Sequence, residues 1–519
     1  MALTIVRRLA MAAVVGCVVA APTDAATPCD TLTTLGLGNG KVTSTKLVAA
    51  AAFVPPAGPA TGAVQALYGR LPEFCRALVT LTPSSDSDIK VEVWLPAGGW
   101  NGKFQAVGNG GYAGVIPYPG MARALVEGYA TAGTDTGHVG NTAEFVPGHP
   151  EKLVDFAYRA VHEMTVAAKH VIDAHYGRAP QFSYFNGCSQ GGRQAITSAQ
   201  RYPADFDGIV AGAPAWDTMR GHAARLSLNF TVNRSPEAVI PPAKYPVIHE
   251  AVLKACDGLD GVTDGVIEDP TSCTVDFAAL ACKEGDGPSC LTAPQIASAR
   301  AITTPLVHPG TGEVIFPGYL MPGTELEWNI LAGPKPLAFA LSGVANIAFG
   351  DKTWNDRSFT AAAHLDRIDA SDRGLLKSND PNLGPFFARG GKLLMYHGWA
   401  DPQVPPPLSP LYYRNVLKAV GPSAEQSIVL LMMPGVYHCA GGPGPDTFDR
   451  MGAIEAWVEQ GRKPARILAW HQTAGKTDRT RPLCPIGQVA AYQGSGSTDD
   501  AANFACVATG AARPATARR

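Results

Sequence analysis

The sequence predicts an α/β fold into which a large second domain is inserted. Short apolar segments with the length of buried strands occur both early and late in the chain, for example at 181–186 and 391–398. Between them, residues 217–376 are irregular and rich in Pro and Gly, with four cysteines at 256–290. With 519 residues, the chain also exceeds the length of about 250–300 at which single cores stop growing. We therefore expect a sheet that stops near 217 and resumes after 376.

The opening of the sheet is expected within residues 86–135. Residues 88–95 alternate polar and apolar side chains, as a half-buried strand does, and 103–107 follow after a Gly/Asn turn. The second strand runs into a glycine-rich loop at 108–114 that lacks the Lys-Ser/Thr and helix context of a phosphate-binding loop. Such a loop lets backbone N–H groups approach a substrate oxyanion. A plain surface turn is the alternative.

The segment 187–191 reads Gly-Cys-Ser-Gln-Gly and has the Gly-x-Ser-x-Gly pattern of a nucleophile elbow. It lies between a predicted strand and a helical pattern that stops at Pro203. Asp401 and His438 each follow a later predicted strand, in the order Ser, Asp, His that an α/β-hydrolase requires. The sequence therefore predicts an α/β-hydrolase fold with a large inserted lid domain and a triad of Ser189, Asp401 and His438. A structural Gly/Ser turn is the alternative for the pentapeptide.

The N-terminus has the pattern of a signal peptide. Arg7 and Arg8 form a basic region, 9–21 is apolar, and 24–26 offers small residues for cleavage. We expect residues 1–26 to be removed and the protein to be secreted or periplasmic.

Residues 14–17, Val-Val-Gly-Cys, also resemble a bacterial lipobox, which would make Cys17 a lipidated residue. An incidental cysteine in a signal peptide is favoured, because the chain stays apolar to Ala21. After the N-terminus no segment has the roughly 18 consecutive apolar residues of a membrane span. The net charge of −2 argues against nucleic acid or an anionic membrane as partner.

Ten of the eleven cysteines lie beyond the signal peptide. An even set in an exported chain implies disulfides, although sequence alone does not fix their connectivity. Contact between Ser189 and His438 would bring their neighbours Cys188 and Cys439 together. Proximity in the chain suggests three further pairs, and the remaining two cysteines form the last: Cys256–Cys273, Cys282–Cys290, Cys484–Cys506 and Cys29–Cys75.

An acidic run at 257–266 is the second chemical signal. Its aspartates alternate with glycines, so a looping backbone could gather side-chain and carbonyl oxygens at one point. Hard oxygen donors in a flexible loop suit Ca²⁺, although the spacing is not that of an EF-hand. A solvated Asp-Gly turn is the alternative. The candidate ligands are Asp257, Asp260, Val262, Asp264 and Val266.

Four motifs together resemble the tannase and feruloyl esterase family, which includes mono(2-hydroxyethyl) terephthalate hydrolase. They are Gly-Cys-Ser-Gln-Gly-Gly-Arg at 187–193, Tyr-His-Gly-Trp-Ala-Asp at 396–401, His-Cys-Ala-Gly-Gly-Pro at 438–443 and Arg-Pro-Leu-Cys-Pro at 481–485. The resemblance covers about 29–508. It implies secretion, a structural calcium at the acidic run, and oxyanion donors at the backbone of Gly111 and Gln190.

The resemblance also implies an esterase that acts on aromatic acids, with feruloyl esters first. Gallate esters and terephthalate monoesters are alternatives, but Gln190 stands where the terephthalate enzyme has an acidic residue. A non-catalytic binding protein on a hydrolase scaffold is the remote alternative. The expected substrates are small or polysaccharide-linked aromatic esters. The expected division is a signal peptide at 1–26, hydrolase segments at 27–216 and 377–519, and a lid with the calcium site at 217–376.

Overall fold

The computed structural model describes residues 27–318 and 320–510. The predicted signal peptide and Cys17 therefore lie outside the described residues. In chain order the described strands are β1 (Gly36–Leu37), β2 (Gly40–Val48), β3 (Phe74–Leu81), β4 (Ile89–Pro96), β5 (Lys103–Val107), β6 (Ala130–Thr134), β7 (Phe182–Cys188), β8 (Gly208–Gly212), β9 (Leu306–Val307), β10 (Val314–Phe316), β11 (Lys392–Gly398), β12 (Ile428–Met433), β13 (Thr447–Phe448), β14 (Ile467–Thr473), β15 (Lys476–Leu483), β16 (Gln488–Tyr492) and β17 (Phe504–Ala508).

The α-helices complete the element list. They are α1 (Gly62–Tyr68), α2 (Tyr118–Val126), α3 (Pro150–Val154), α4 (Ala160–Tyr176), α5 (Gln190–Arg201), α6 (Thr218–Val232), α7 (Tyr245–Cys256), α8 (Ala293–Thr303), α9 (Asn329–Ala332), α10 (Ala338–Gly343), α11 (Leu365–Ala370), α12 (Gly384–Ala388), α13 (Leu408–Val420) and α14 (Arg450–Gln460). None of the described helices is long and apolar enough to cross a membrane.

One ten-stranded sheet forms the centre, in the order β1-β2-β3-β4-β6-β5-β7-β8-β11-β12. From β1 to β6 the neighbours are antiparallel, and from β6 to β12 they are parallel. Every residue of β8 and β12 is buried, which explains why these strands are continuous apolar runs rather than alternating ones. This is the α/β fold that the sequence predicts.

Helices cover both faces of the parallel half. Along β11, Leu393 and Met395 share a buried cluster with α4, α5 and α13, whereas Leu394 and Tyr396 share another with α14. Alternate residues of one strand therefore enter opposite cores, as the pleat of a strand requires. Burial on both faces fixes the strand register and with it the positions of the loops at the carboxyl edge of the sheet.

The helix predicted at 156–176 differs at its start. The α-helical part begins only at Ala160, because residues Asp155–Arg159 form a π-helical turn. Within that turn the buried Asp155 accepts a hydrogen bond from Arg159 Nε at 2.5 Å. Bulges of this type commonly occur near functional sites.

The predicted insertion is a long connecting segment between two neighbouring strands. β8 and β11 pair directly and in parallel, although residues 213–391 run between them. The two ends of this segment lie side by side. Asp217 and Lys377 form an isolated antiparallel β-bridge, and Ser378 N donates to the carbonyl of Trp216 at 2.7 Å. The division into hydrolase and lid at 217 and 376 stays a prediction.

Candidate active site

Ser189 lies on the turn between β7 and α5, with φ of 65° and ψ of −119°. A non-glycine residue rarely adopts a positive φ, and such strain persists only where the surroundings enforce it. Here close packing enforces it. A Cβ on Gly187 would lie 2.6 Å from the backbone of Gly191, and one on Gly192 would lie 2.2 Å from the carbonyl oxygen of Gly212. The glycines of the motif thus allow the helix to start immediately after the serine.

Three side chains from the carboxyl ends of three strands meet at this turn. His438, after β12, places Nε2 2.8 Å from Ser189 Oγ. Its Nδ1 lies 2.7 Å from Oδ2 of Asp401, which follows β11. Both distances allow hydrogen bonds, with the serine hydroxyl donating to the imidazole and the imidazole donating to the carboxylate. The arrangement can activate a serine as nucleophile and pass its proton through histidine.

Asp401 is completely buried and held by more than His438. Its Oδ1 accepts from the backbone of Gln403 at 2.7 Å and of Val404 at 2.9 Å. Burial alone would raise the pKa of Asp401, but the charge of His438 and hydrogen bonds from His397 and His438 outweigh it and hold the pKa below its ordinary value. The carboxylate therefore stays ionised and can fix the imidazole tautomer.

His397 is the second histidine beside Asp401, but it does not reach the serine. Its Nε2 lies 3.2 Å from Asp401 Oδ2 and 3.0 Å from the carbonyl of Val404. Its Nδ1 lies 2.7 Å from Ser409 Oγ. With both ring nitrogens engaged and no exposed surface, His397 supports the carboxylate and leaves the proton-transfer position to His438.

A disulfide joins Cys188 to Cys439, with the Cα atoms 6.1 Å apart. It therefore links the residue before Ser189 to the residue after His438. Cys439 also has a positive φ, of 66°. The structure brings the other four proposed pairs together as well: Cys29–Cys75, Cys256–Cys273, Cys282–Cys290 and Cys484–Cys506.

Replacing Cys188 and Cys439 together by Ala is expected to lower kcat/KM for an ester substrate by about 10²-fold, because small misplacements of catalytic groups have effects of this size. Steady-state kinetics well below the melting temperature would measure it. A matched control removes Cys282 and Cys290, which lie in an exposed loop of the insertion, and should retain activity. Unchanged kcat/KM without the Cys188–Cys439 bond would contradict its role as a clamp.

The glycine-rich loop after β5 lies against the same site. Gly111 and Gln190 line one cavity together with Ser189 and His438. A pair of hydrogen bonds to Gln194 of α5 holds the loop in place. Asn109 N donates to Gln194 Oε1 at 2.9 Å, and Gln194 Nε2 donates to Asn109 Oδ1 at 3.1 Å. The loop and the first turn of α5 can therefore present backbone N–H groups to a substrate oxygen beside the serine.

The cavity beside Ser189 has aromatic walls and a polar strip. Helix α6 supplies the polar strip through Thr218, His222 and Arg225, whose spacing places them on one helical face. This helix corrects the prediction that the whole of 217–376 is irregular, and the absence of proline from 218–232 is the signal in the sequence that could have indicated it. The aromatic residues of the wall are Tyr112, Phe156, Phe316 and Phe339.

The predicted calcium ligands lie in one loop but are engaged with its backbone. Asp257 accepts from the N–H groups of Asp264 and Gly265, at 3.2 and 3.0 Å, and Asp260 accepts from Val262 at 2.9 Å. Both carboxylate oxygens of Asp264 are engaged as well. Oδ1 accepts from the backbone N–H of Val266 at 3.1 Å, and Oδ2 accepts from the side chain of Arg481.

The loop is nevertheless a region of concentrated negative charge. Burial, together with the charges of Asp260 and Asp264, raises the pKa of the neighbouring Glu268 to about 8. Over the described part of the chain, no three acidic, histidine or cysteine side chains are arranged to hold a metal ion. The oxygen donors suit calcium chemically, but this arrangement does not gather them into a coordination shell. Calcium binding therefore stays a prediction.

Comparisons with known proteins agree with this fold. A family model described as tannase and feruloyl esterase matches residues 75–507. An uncharacterized esterase from Xanthomonas campestris pv. campestris is 36% identical, covering 93% of this chain and 92% of its own. A probable feruloyl esterase B-2 from Aspergillus terreus is 32% identical over 84% of this chain and 86% of its own. The crystal structure of feruloyl esterase B from Aspergillus oryzae superposes with a TM-score of 0.85 at 29% identity, covering 92% of this chain and 99% of that one.

Proposed function

Since this chain belongs to the tannase and feruloyl esterase family of carboxylic ester hydrolases, we propose that it cleaves feruloyl and related aromatic-acid esters through Ser189, His438 and Asp401. The observation that carries the proposal is the continuous hydrogen-bonded line from Ser189 Oγ through His438 to the buried Asp401. The same series of hydrogen bonds argues against a non-catalytic binding protein, because ligand binding alone does not require a strained serine hydrogen-bonded to a histidine.

The first half of the reaction forms an acyl-enzyme. Ser189 Oγ attacks the ester carbonyl carbon while its proton passes to His438 Nε2. The negative charge that develops on the carbonyl oxygen is held by the backbone N–H groups of Gly111 and Gln190, and each such donor is worth about 3–4 kcal/mol in comparable sites. His438 then gives the proton to the departing alcohol as the ester C–O bond breaks.

The second half repeats these steps with water. His438 takes a proton from water, the resulting hydroxide oxygen attacks the acyl carbon, and the proton returns to Ser189 Oγ as the acid leaves. Throughout, Asp401 keeps the imidazole proton on Nδ1 and stabilises the imidazolium that forms transiently. The aromatic wall of the cavity gives the planar ring of the acyl group a surface to pack against.

Relatives named as probable feruloyl esterases support the choice of feruloyl esters as the first of the proposed substrates. Initial rates with methyl ferulate, methyl gallate and mono(2-hydroxyethyl) terephthalate test this order. We expect the highest kcat/KM with methyl ferulate. A higher value with methyl gallate would assign a tannase instead. A higher value with the terephthalate monoester would show that Gln190 does not exclude that substrate.

Export of the enzyme is a further part of the proposal. Five disulfides in the described chain support an oxidising compartment, since such bonds rarely persist in a reducing cytosol. Secretion or periplasmic residence follows, and lipidation at Cys17 would anchor the protein.

Calcium is expected to raise the melting temperature without being needed for turnover. At a concentration of about 100 times Kd, an ion that binds only the native state adds about 2.7 kcal/mol of stability. Thermal melts with excess calcium and with chelator would measure the difference. Asp260→Ala should remove the response, whereas Asp276→Ala, an exposed aspartate of the insertion, should retain it. A melting temperature indifferent to both conditions would contradict the calcium proposal, and immediate loss of turnover on chelation would indicate a catalytic metal instead.

A further inference from the structure

One wall of the cavity beside Ser189 carries a histidine with an unused hydrogen-bonding atom. His222 of α6 is 5% exposed, and its ring lies between those of Tyr112 and Phe339, with centroids 5.6 and 5.5 Å away. Nε2 lies 3.1 Å from Tyr112 Oη. Nδ1 is buried, and no group of the described chain forms a hydrogen bond with it. A buried polar atom without a partner destabilises the fold, so its presence calls for an explanation.

The protonation state of this pair can be worked out from its surroundings. Burial lowers the pKa of His222 well below its ordinary value, and the charge of Arg225 lowers it further. Burial raises the pKa of Tyr112 well above its ordinary value. At neutral pH the imidazole and the phenol are therefore both uncharged, and a single hydrogen bond joins Tyr112 Oη to His222 Nε2.

The proton in this hydrogen bond is the hydroxyl proton of Tyr112. Within the described chain, His222 Nε2 is the hydrogen-bond partner of Tyr112 Oη, so the phenol proton is satisfied only if Oη donates to Nε2. Nε2 is then the acceptor, and the single imidazole proton of neutral His222 resides on Nδ1. The unused atom is consequently a hydrogen-bond donor.

Gln190 supplies a second unused donor to the same cavity. Its Oε1 accepts from Arg193 Nε at 3.0 Å. A guanidinium has no acceptor, so this contact fixes the orientation of the amide. Gln190 Nε2, buried like His222 Nδ1, has no partner among the described residues. Two residues that line the cavity thus each hold a buried donor without a partner, beside aromatic side chains. A ligand with oxygen acceptors and a planar ring would match both features.

We propose that His222 is a specificity-determining residue whose Nδ1–H donates a hydrogen bond to an oxygen substituent on the aromatic ring of the acyl group. The proposal rests on the proposed function, because it assigns the acyl group to this cavity. A hydroxylated or methoxylated ring satisfies the donor, whereas an unsubstituted ring leaves it unpaired and is bound less well. Selection for phenolic acids over plain aromatic acids follows from this difference.

The test compares methyl ferulate with methyl cinnamate, whose ring has no oxygen. In His222→Leu the ratio of the two kcat/KM values is expected to fall about tenfold, the effect of one neutral hydrogen bond. The matched control is His170→Leu, an exposed histidine of α4, which should keep the wild-type ratio. A purely structural role for His222 would lower both kcat/KM values together and leave the ratio unchanged, which would overturn the proposal.

Tyr112→Phe provides a second variant in case the leucine variant does not fold. It removes the phenol proton that fixes the histidine tautomer, and the ratio is expected to fall about threefold. An unchanged ratio in a folded Tyr112→Phe enzyme would contradict the proposal.

Calorimetry with ferulic and cinnamic acids separates this proposal from the proposed function, because it needs no turnover. We expect the wild-type preference for ferulic acid to be lost in the His222 variant. If the preference for ferulic acid persists in the variant, His222 does not bind the ring substituent, whichever esters the enzyme hydrolyses. Failure of the wild-type enzyme to hydrolyse either ester would contradict the proposed function alone, and the two acids would still decide the role of His222.

Discussion

Ser189→Ala is expected to lower kcat for ester hydrolysis by about 10⁴–10⁶-fold, the range found when the nucleophile of such a triad is removed. The hydroxyl lies 2.8 Å from His438 Nε2, and no acyl-enzyme can form without it. Only one hydroxyl is lost, so the melting temperature should hardly change. Initial rates with methyl ferulate and a thermal melt of the same sample would measure both effects.

Ser198→Ala is the matched control for this change. Ser198 lies in α5, the helix that begins directly after Ser189; it is buried, and its hydroxyl donates to the carbonyl of Gln194 at 2.9 Å. Its loss removes a hydroxyl from α5 without touching the site, so kcat should stay near the wild-type value. Residual turnover in Ser189→Ala within tenfold of wild type would exclude Ser189 as the nucleophile.

Asp401→Asn is expected to lower kcat by about 10⁴-fold, as the equivalent change does in a serine protease triad. Because Oδ1 of Asp401 accepts from two backbone N–H groups, the asparagine oxygen should take that position. Its amide NH₂ would then face His438 Nδ1 and favour the tautomer with the proton on Nε2. That tautomer cannot accept the proton of Ser189. Kinetics with methyl ferulate would measure the loss.

The control for this variant is Asp478→Asn. Asp478 accepts from His471 at 2.6 Å in the exposed β14–β15 hairpin, so it repeats the Asp–His contact away from the cavity. It should leave kcat unchanged. Wild-type turnover in Asp401→Asn would mean that another group orients His438.

The parallel half of the sheet and the Ser189 turn could be predicted because local rules dominate there. β8 and β12 are short apolar runs that are buried throughout, and β7 and β11 are mostly buried. Segments of this kind are visible in the sequence. The elbow needs glycine at Gly187, because a Cβ there would lie 2.6 Å from the backbone of Gly191. The first glycine of the motif is therefore a steric requirement of the turn. Chain order then indicated which later strands would carry the acid and the base.

The substrate cavity could not be predicted, because its walls come from distant segments whose contact depends on the fold. Tyr112 follows β5, His222 lies on α6 and Phe339 lies on α10, and no periodicity relates them. The neutral state of His222 is likewise a product of burial. The π-helical turn before α4 also escaped prediction, since the side-chain pattern of 156–176 is that of an ordinary helix.

The proposed mechanism requires a covalent feruloyl group at Ser189. Rapid quenching of the enzyme with excess methyl ferulate, followed by peptide mapping, measures this directly. The peptide that contains Ser189 should gain the mass of one feruloyl group, and the label should disappear as substrate is exhausted. Continued turnover with no label on Ser189, or with the label on another residue, would contradict this mechanism.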